Sequence, residues 1–211
     1  AAFTFDESGH ETIQALVDDR LDITVGAVTQ IRVGLTSIDG NTAFADNAFD
    51  YAEFMPKLNP NDEFDKGDII GVKGGKITHN TDKAEIIMVV STNPSFIGGS
   101  APFHFNESEK SDYFSRAEKI AFVGQVPAKI IGKANSGDYL LPSGRNDGTA
   151  ISKPKSEVSF EEYKEKVIGI VLNKFQIPSN SREDIKPVYE EMLEKGEKED
   201  YDLYLIAVGV K

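Results

Sequence analysis

Phe49-Asp50-Tyr51-Ala52-Glu53-Phe54 is the stretch on which the reading of this chain turns. It sets two carboxylates three residues apart, with an aromatic and a small residue between them. Ahead of it, Ile23, Val25 and Ala27, then Ile31, Val33 and Leu35, alternate with polar residues and glycine. That is the period of a β-strand, in β-branched residues that suit one. Ile38-Asp39-Gly40-Asn41 is a turn signal, because Asp-Gly takes positive φ cheaply, and Thr42-Ala43-Phe44-Ala45 resumes as a short strand. Behind the stretch, short apolar runs recur at close spacing. The expectation is a mainly β protein. An N-terminal strand or stalk segment over 1–49 leads into a compact small barrel or sandwich over 50–211.

Composition narrows the function. The formal net charge is −12. Nucleic acid and anionic membranes need clustered Lys and Arg, so neither is an expected partner. No apolar run approaches the roughly 18 residues of a membrane-spanning helix. With no cysteine, disulfides, thiolate metal sites and Cys nucleophiles are all excluded. His10, His79 and His104 lie far apart in the sequence, without the spacing of a zinc site. No phosphate-binding or dinucleotide fingerprint is present, and no serine sits in a G-x-S-x-G elbow. Neither metal nor cofactor is expected. The chain begins at Ala1, as a processed chain or a piece of a longer one would.

Along residues 1–49 the only Lys or Arg side chains are Arg20 and Arg32, and 11–20 reads as a short helix or an irregular acidic segment. The strands here are too few and thin to bury a core alone. They make sense if identical copies wrap together, so a homotrimer is expected. Further on, Gly74-Gly75 between Ile69–Val72 and Lys76–Thr78 predicts a hairpin. Glu85–Ser91 reads as a buried strand, and Ile120–Ile131 as one bent strand or two short ones. Residues 94–111 read as a long polar loop carrying Phe96, Phe103 and Phe105, either packed on their own domain or presented to a partner or glycan. Ser159 is an N-cap candidate, and Lys166–Leu172 and Leu203–Val210 are strands. Between them a helix is expected over Ser181–Lys195, capped by Ser181 and Asp184 and stopped by Gly196, with Pro187 kinking it or delaying its start. The helical excursion spans about 179–202.

Five segments occur in a familiar order: Asp50–Phe54, Gly67–Val72, Gly124–Ile130, Gly137–Gly144 and Val167–Val171. With Gly40–Asp46 ahead of them, the chain over about 40–175 resembles the peptidase G2 family. These are the C-terminal intramolecular chaperone and autocleavage domains of phage tail spikes and neck appendages. The resemblance implies a domain that trimerises, registers the upstream fibre segment and cuts the chain before the Asp of Asp-Tyr-Ala-Glu. The scissile bond would be Phe49–Asp50, with Asp50 and Glu53 as acid and base and Gln125 as a possible helper. The protein would belong to the virion tail, or to the host cytoplasm during assembly. Phe49 and Met55 depart from the family pattern. They keep a second expectation open, a non-cleaving fibre tip or receptor-binding head of the same fold.

Paired carboxylates can divide acid and base duties when crowding pushes one pKa upward. The plainer reading is structural: Asp50 and Glu53 capping a turn, or pairing with Lys57 or Lys66. Gln125 is equally readable as a solvated strand residue.

Overall fold

The computed structural model describes residues 2–4, 12–17, 20–25, 28–34, 38–40, 50–98, 105–179, 181 and 183–209. The chain divides into two units, 1–46 and 47–211. The first holds an antiparallel meander of five strands in sequence order: β1 (Ala2–Thr4), β2 (Thr12–Val17), β3 (Arg20–Val25), β4 (Val28–Gly34) and β5 (Ile38–Gly40). β2 is a correction to the helix or irregular segment expected over 11–20. Thr12 to Ala15 pair antiparallel and in register with Leu21 to Thr24, which makes the segment a strand. The expected strand at 42–45 lies outside the described residues.

The second unit is a ten-stranded sheet. Its strands are β6 (Asp50–Pro56), β7 (Ile69–Lys73), β8 (Lys76–Thr78), β9 (Ile86–Val90), β10 (Phe96–Gly98), β11 (Ala117–Ile130), β12 (Tyr139–Pro142), β13 (Ala150–Lys153), β14 (Gly169–Lys174) and β15 (Asp202–Val208). Helices α1 (Glu107–Ser115), α2 (Phe160–Lys166) and α3 (Lys186–Glu199) interrupt it. The order β13-β12-β14-β15-β11 closes on itself where Ile130 of β11 meets Ala150 of β13 in parallel. The result is the small closed barrel expected from the sequence, five strands round. Even-numbered β11 residues Val126, Ala128 and Ile130 fill it, with Leu140, Val171, Ile206 and Val208. β11 carries on beyond the ring. Its first half pairs with β6 and, at Ile120 and Ala121, with β9.

Local signals account for the smaller pieces. β7 and β8 form the hairpin around Gly74-Gly75. Ser159 caps α2 in a reciprocal box with Glu162, each side chain bound to the other's backbone N–H. Residues 94–111 are not one loop. Asn106 and Glu109 make a second capping box that starts α1, and 96–98 pair with β6 as β10. The helix expected over 181–195 is α3, later at both ends. It begins at Lys186 with Pro187 in its first turn, where no N–H partner is needed. Gly196 does not stop it. The helix runs to Glu199 and ends on Asp200 in the left-handed region, φ 59°. Gly196 instead lets the helix approach Tyr201, whose carbonyl oxygen would lie 2.7 Å from a Cβ placed there.

Candidate cleavage site

β6 begins at Asp50 and is hydrogen-bonded on both sides, parallel to β10 and antiparallel to β11. Side chains of a strand alternate between faces. Asp50 and Ala52 are therefore buried on one side, and Tyr51 and Glu53 turn to the other. The Tyr51 hydroxyl donates to Glu53 Oε1 at 2.5 Å, which raises the Tyr51 pKa, and the Tyr51 ring meets Phe122 edge-on at 6.3 Å. The structure does not bring Asp50 and Glu53 together within one chain. Nor does either pair with the lysines considered from the sequence: Lys57 and Lys66 both reach Glu118, at 3.3 and 3.6 Å.

Asp50 is 4% exposed. Burial lifts its pKa from 3.8 to about 6. The Ser91 hydroxyl and the backbone work against that shift, though neither Asp50 Oδ2 nor Ser91 Oγ completes a hydrogen bond. Thr92 Oγ1 is also buried and without a partner. Orphaned buried oxygens are rare and cost about 1–3 kcal/mol each, so three in one place call for an explanation. Two of the three residues, Asp50 and Thr92, stand on the wall of a cavity of about 420 Å³.

That cavity lies outside the barrel ring. Beyond the bulge at Ala121–Val123, odd-numbered residues of β11 face away from the barrel interior, and Gln125 and Pro127 line the cavity with Leu205 of β15. Gln125 thus stands in the same cavity as Asp50, on an exposed part of its strand. The remaining wall includes Asn93 from the turn after β9, Lys174 of β14 and Tyr189 of α3. The sequence reading missed Ser91, Thr92, Asn93 and Tyr189. A polar triplet straight after the apolar run Ile86–Val90 was the one local sign of the first three. Phe49 and Phe103 lie outside the described residues. Phe96 is 55% exposed, while Phe105 packs edge-on against Tyr113 at 6.3 Å.

Among the described residues no cluster of His, Cys, Asp or Glu could hold a metal ion, and no helix is long and apolar enough to cross a membrane. The strand thus delivers a buried carboxyl of raised pKa to a cavity at the start of a compact β domain, an arrangement that can hold or release a proton near neutral pH. The chain belongs to the Peptidase_G2 family, the IMC autoproteolytic cleavage domain, whose family model matches residues 12–117. In fold it is similar to the pre-mature gene product 12 of bacteriophage phi29, with a TM-score of 0.51 at 13% identity over 85% of this chain and 24% of that one. This chain therefore spans about a quarter of that protein. A C-terminal fragment of the same phage protein aligns with a TM-score of 0.49 at 15% identity, over 75% of this chain and 99% of the fragment. No curated protein matches.

Proposed function

We propose that this chain is the folding domain of a phage or prophage tail fibre, spike or appendage. It assembles as a homotrimer, brings the upstream fibre segment into register, and then cuts itself once between Phe49 and Asp50. The observation that carries this reading is Asp50. It is a buried carboxyl with a pKa of about 6 and an unpartnered oxygen, on the residue that supplies the nitrogen of the scissile amide. Membership of the autocleavage family and the fold shared with the phage protein support it.

In the cut, water adds to the Phe49 carbonyl carbon, the bond to the Asp50 nitrogen breaks, and that nitrogen leaves with a proton. A carboxyl with a pKa near 6 is partly protonated at neutral pH and can both give and regain that proton. Proton transfer of this kind contributes about 10²–10⁴-fold, and positioning within the assembled domain supplies the remainder. One turnover per chain tolerates a slow step. Gln125, next to Asp50's strand partner Gly124 and on the same cavity, can orient the water. Glu53 faces away from its own Asp50, so its share in the reaction is offered to a neighbouring copy, a role that needs the trimer. The assembled protein would reside on the virion.

Intact mass after prolonged incubation at pH 5–7 tests the cut. A fragment beginning at Asp50 is expected from the native sequence and none from Asp50→Asn. Sedimentation should give three chains. Dilution below assembly should slow the cut if Glu53 acts on a neighbour. A native chain that stays whole throughout overturns self-cleavage. The separation of Asp50 from Glu53 would then favour the second reading, a non-cleaving tip or head that meets a host receptor or glycan.

A further inference from the structure

We propose that Tyr189 is a positioning residue for Asp50, so that the helical segment between β14 and β15 completes the cleavage centre. This rests on the cleavage reading above and adds to it a residue 139 positions away in sequence. Tyr189 is 3% exposed and stands on the same cavity wall system as Asp50. Its ring is held by Phe175, 5.0 Å between centroids, within a cluster that includes Ile185, Met192, Tyr201 and Leu203. The close approach allowed by Gly196 seats the other end of the helix. The phenol is therefore fixed in place.

Its chemistry fits the site. Asn93 hydrogen-bonds the Tyr189 side chain and works against the rise in its pKa. Both side chains line the cavity that holds Asp50. On the cavity wall, Asp50 Oδ2 and Thr92 Oγ1 are buried without a hydrogen-bond partner, and the carboxylate oxygen can only accept. Burial first, and then the Asp50 charge, raise the Tyr189 pKa, so the hydroxyl keeps its proton at neutral pH. The other titratable group on the wall, Lys174 of β14, is ion-paired to Asp202 at 2.8 Å. A phenol donating into this cavity through one water orients the carboxyl and favours its ionised form. Were the residue only an aromatic filler, phenylalanine would serve as well.

Tyr189→Phe in the full chain tests this, because it keeps the ring and removes the hydroxyl. The cut should slow about tenfold, the size of one lost hydrogen bond to a charged group. The Asp50 carboxyl, followed by carbon-13 NMR, should titrate at higher pH than in the native chain. An unchanged rate together with an unchanged midpoint overturns the proposal. The titration can be read whether or not the chain cuts. A native chain that never cuts therefore sinks the cleavage reading, while the midpoint comparison still decides the role of Tyr189. If Tyr189→Phe fails to fold, Asn93→Ala removes the phenol's orienting partner without touching α3, and the midpoint should move the same way. No movement there counts against the proposal.

Discussion

Two aspartates lie buried on the outer face of the barrel, one toward each end of α3, and they are treated in opposite ways. Among the described residues no ion pair reaches Asp50, on the cavity lined by Tyr189; Lys174 of the same wall pairs with Asp202 instead, and one Asp50 oxygen is without a partner. Asp68, on the side of Lys195, is 3% exposed. Lys129 Nζ sits 2.7 Å from its Oδ1 as an ion pair, and its Oδ2 accepts from the Asp65 N–H at 2.8 Å. Burial pushes the Asp68 pKa up, against the pull of Lys129. Burial likewise works to lower the Lys129 pKa, but Asp68 outweighs it and holds the ammonium charged. Lys129 also reaches Asp65 at 3.0 Å and lies over the Tyr201 ring, and Lys195 closes onto Asp65 from the helix. Gly148, at φ +83°, packs so near the Asp68 carboxylate that a Cβ would collide with it. Asp68 Oδ1, like Asp50 Oδ2, completes no hydrogen bond, but a lysine charge faces it at 2.7 Å. A charge-paired carboxylate holds structure together, whereas an unpaired one at a cavity is what the proposed cleavage needs.

The sharpest break of this contrast is Asp50→Asn. Loss of about 10²–10⁴-fold in self-cleavage is expected, read as fragment mass against time. Next, Lys129→Ala strands Asp68 as an uncompensated buried charge, at a cost of about 3–5 kcal/mol measured by denaturant melts. Pairing it with Asp68→Ala should recover part of that loss, because no buried charge then remains. The third effect is a pH dependence. With the folded pKa of Asp50 near 6 and an unfolded value of 3.8, the native state holds its proton longer. Stability contributed by Asp50 is therefore highest below about pH 4 and falls as pH rises to about 6. The difference is about 3 kcal/mol at most, flat beyond that. Asp50→Asn should flatten this limb, and equal slopes in the two proteins would remove the buried-acid argument. Smallest of all is Lys195→Ala, expected to change stability by less than about 1 kcal/mol, since its pair with Asp65 is half open to solvent.

What the sequence showed of this molecule was what neighbouring residues decide among themselves. The Gly74-Gly75 hairpin, the Ser159–Glu162 cap and the alternation of β11 all follow from local geometry, and so does the strand-rich character of the whole. Closure of the ring does not, because Ile130 and Ala150 meet through a single parallel contact between strands with no shared turn. Gly196 reads as a helix stop until Tyr201 is seen to need the space. At the site, the segment Asp50–Phe54 stood out, and reading it as a strand already separates positions 50 and 53 by parity. Tyr189 could not be found that way. It lines the cavity with Asp50 only because the chain leaves the barrel after β14, turns through α3 and returns as β15.

That detour has a temporal meaning. The burial that raises the Asp50 pKa exists only in the folded domain. An unfolded chain carries an ordinary acid at position 50. On the proposed cleavage, the altered proton affinity would then tie any severing of the chain to a finished fold.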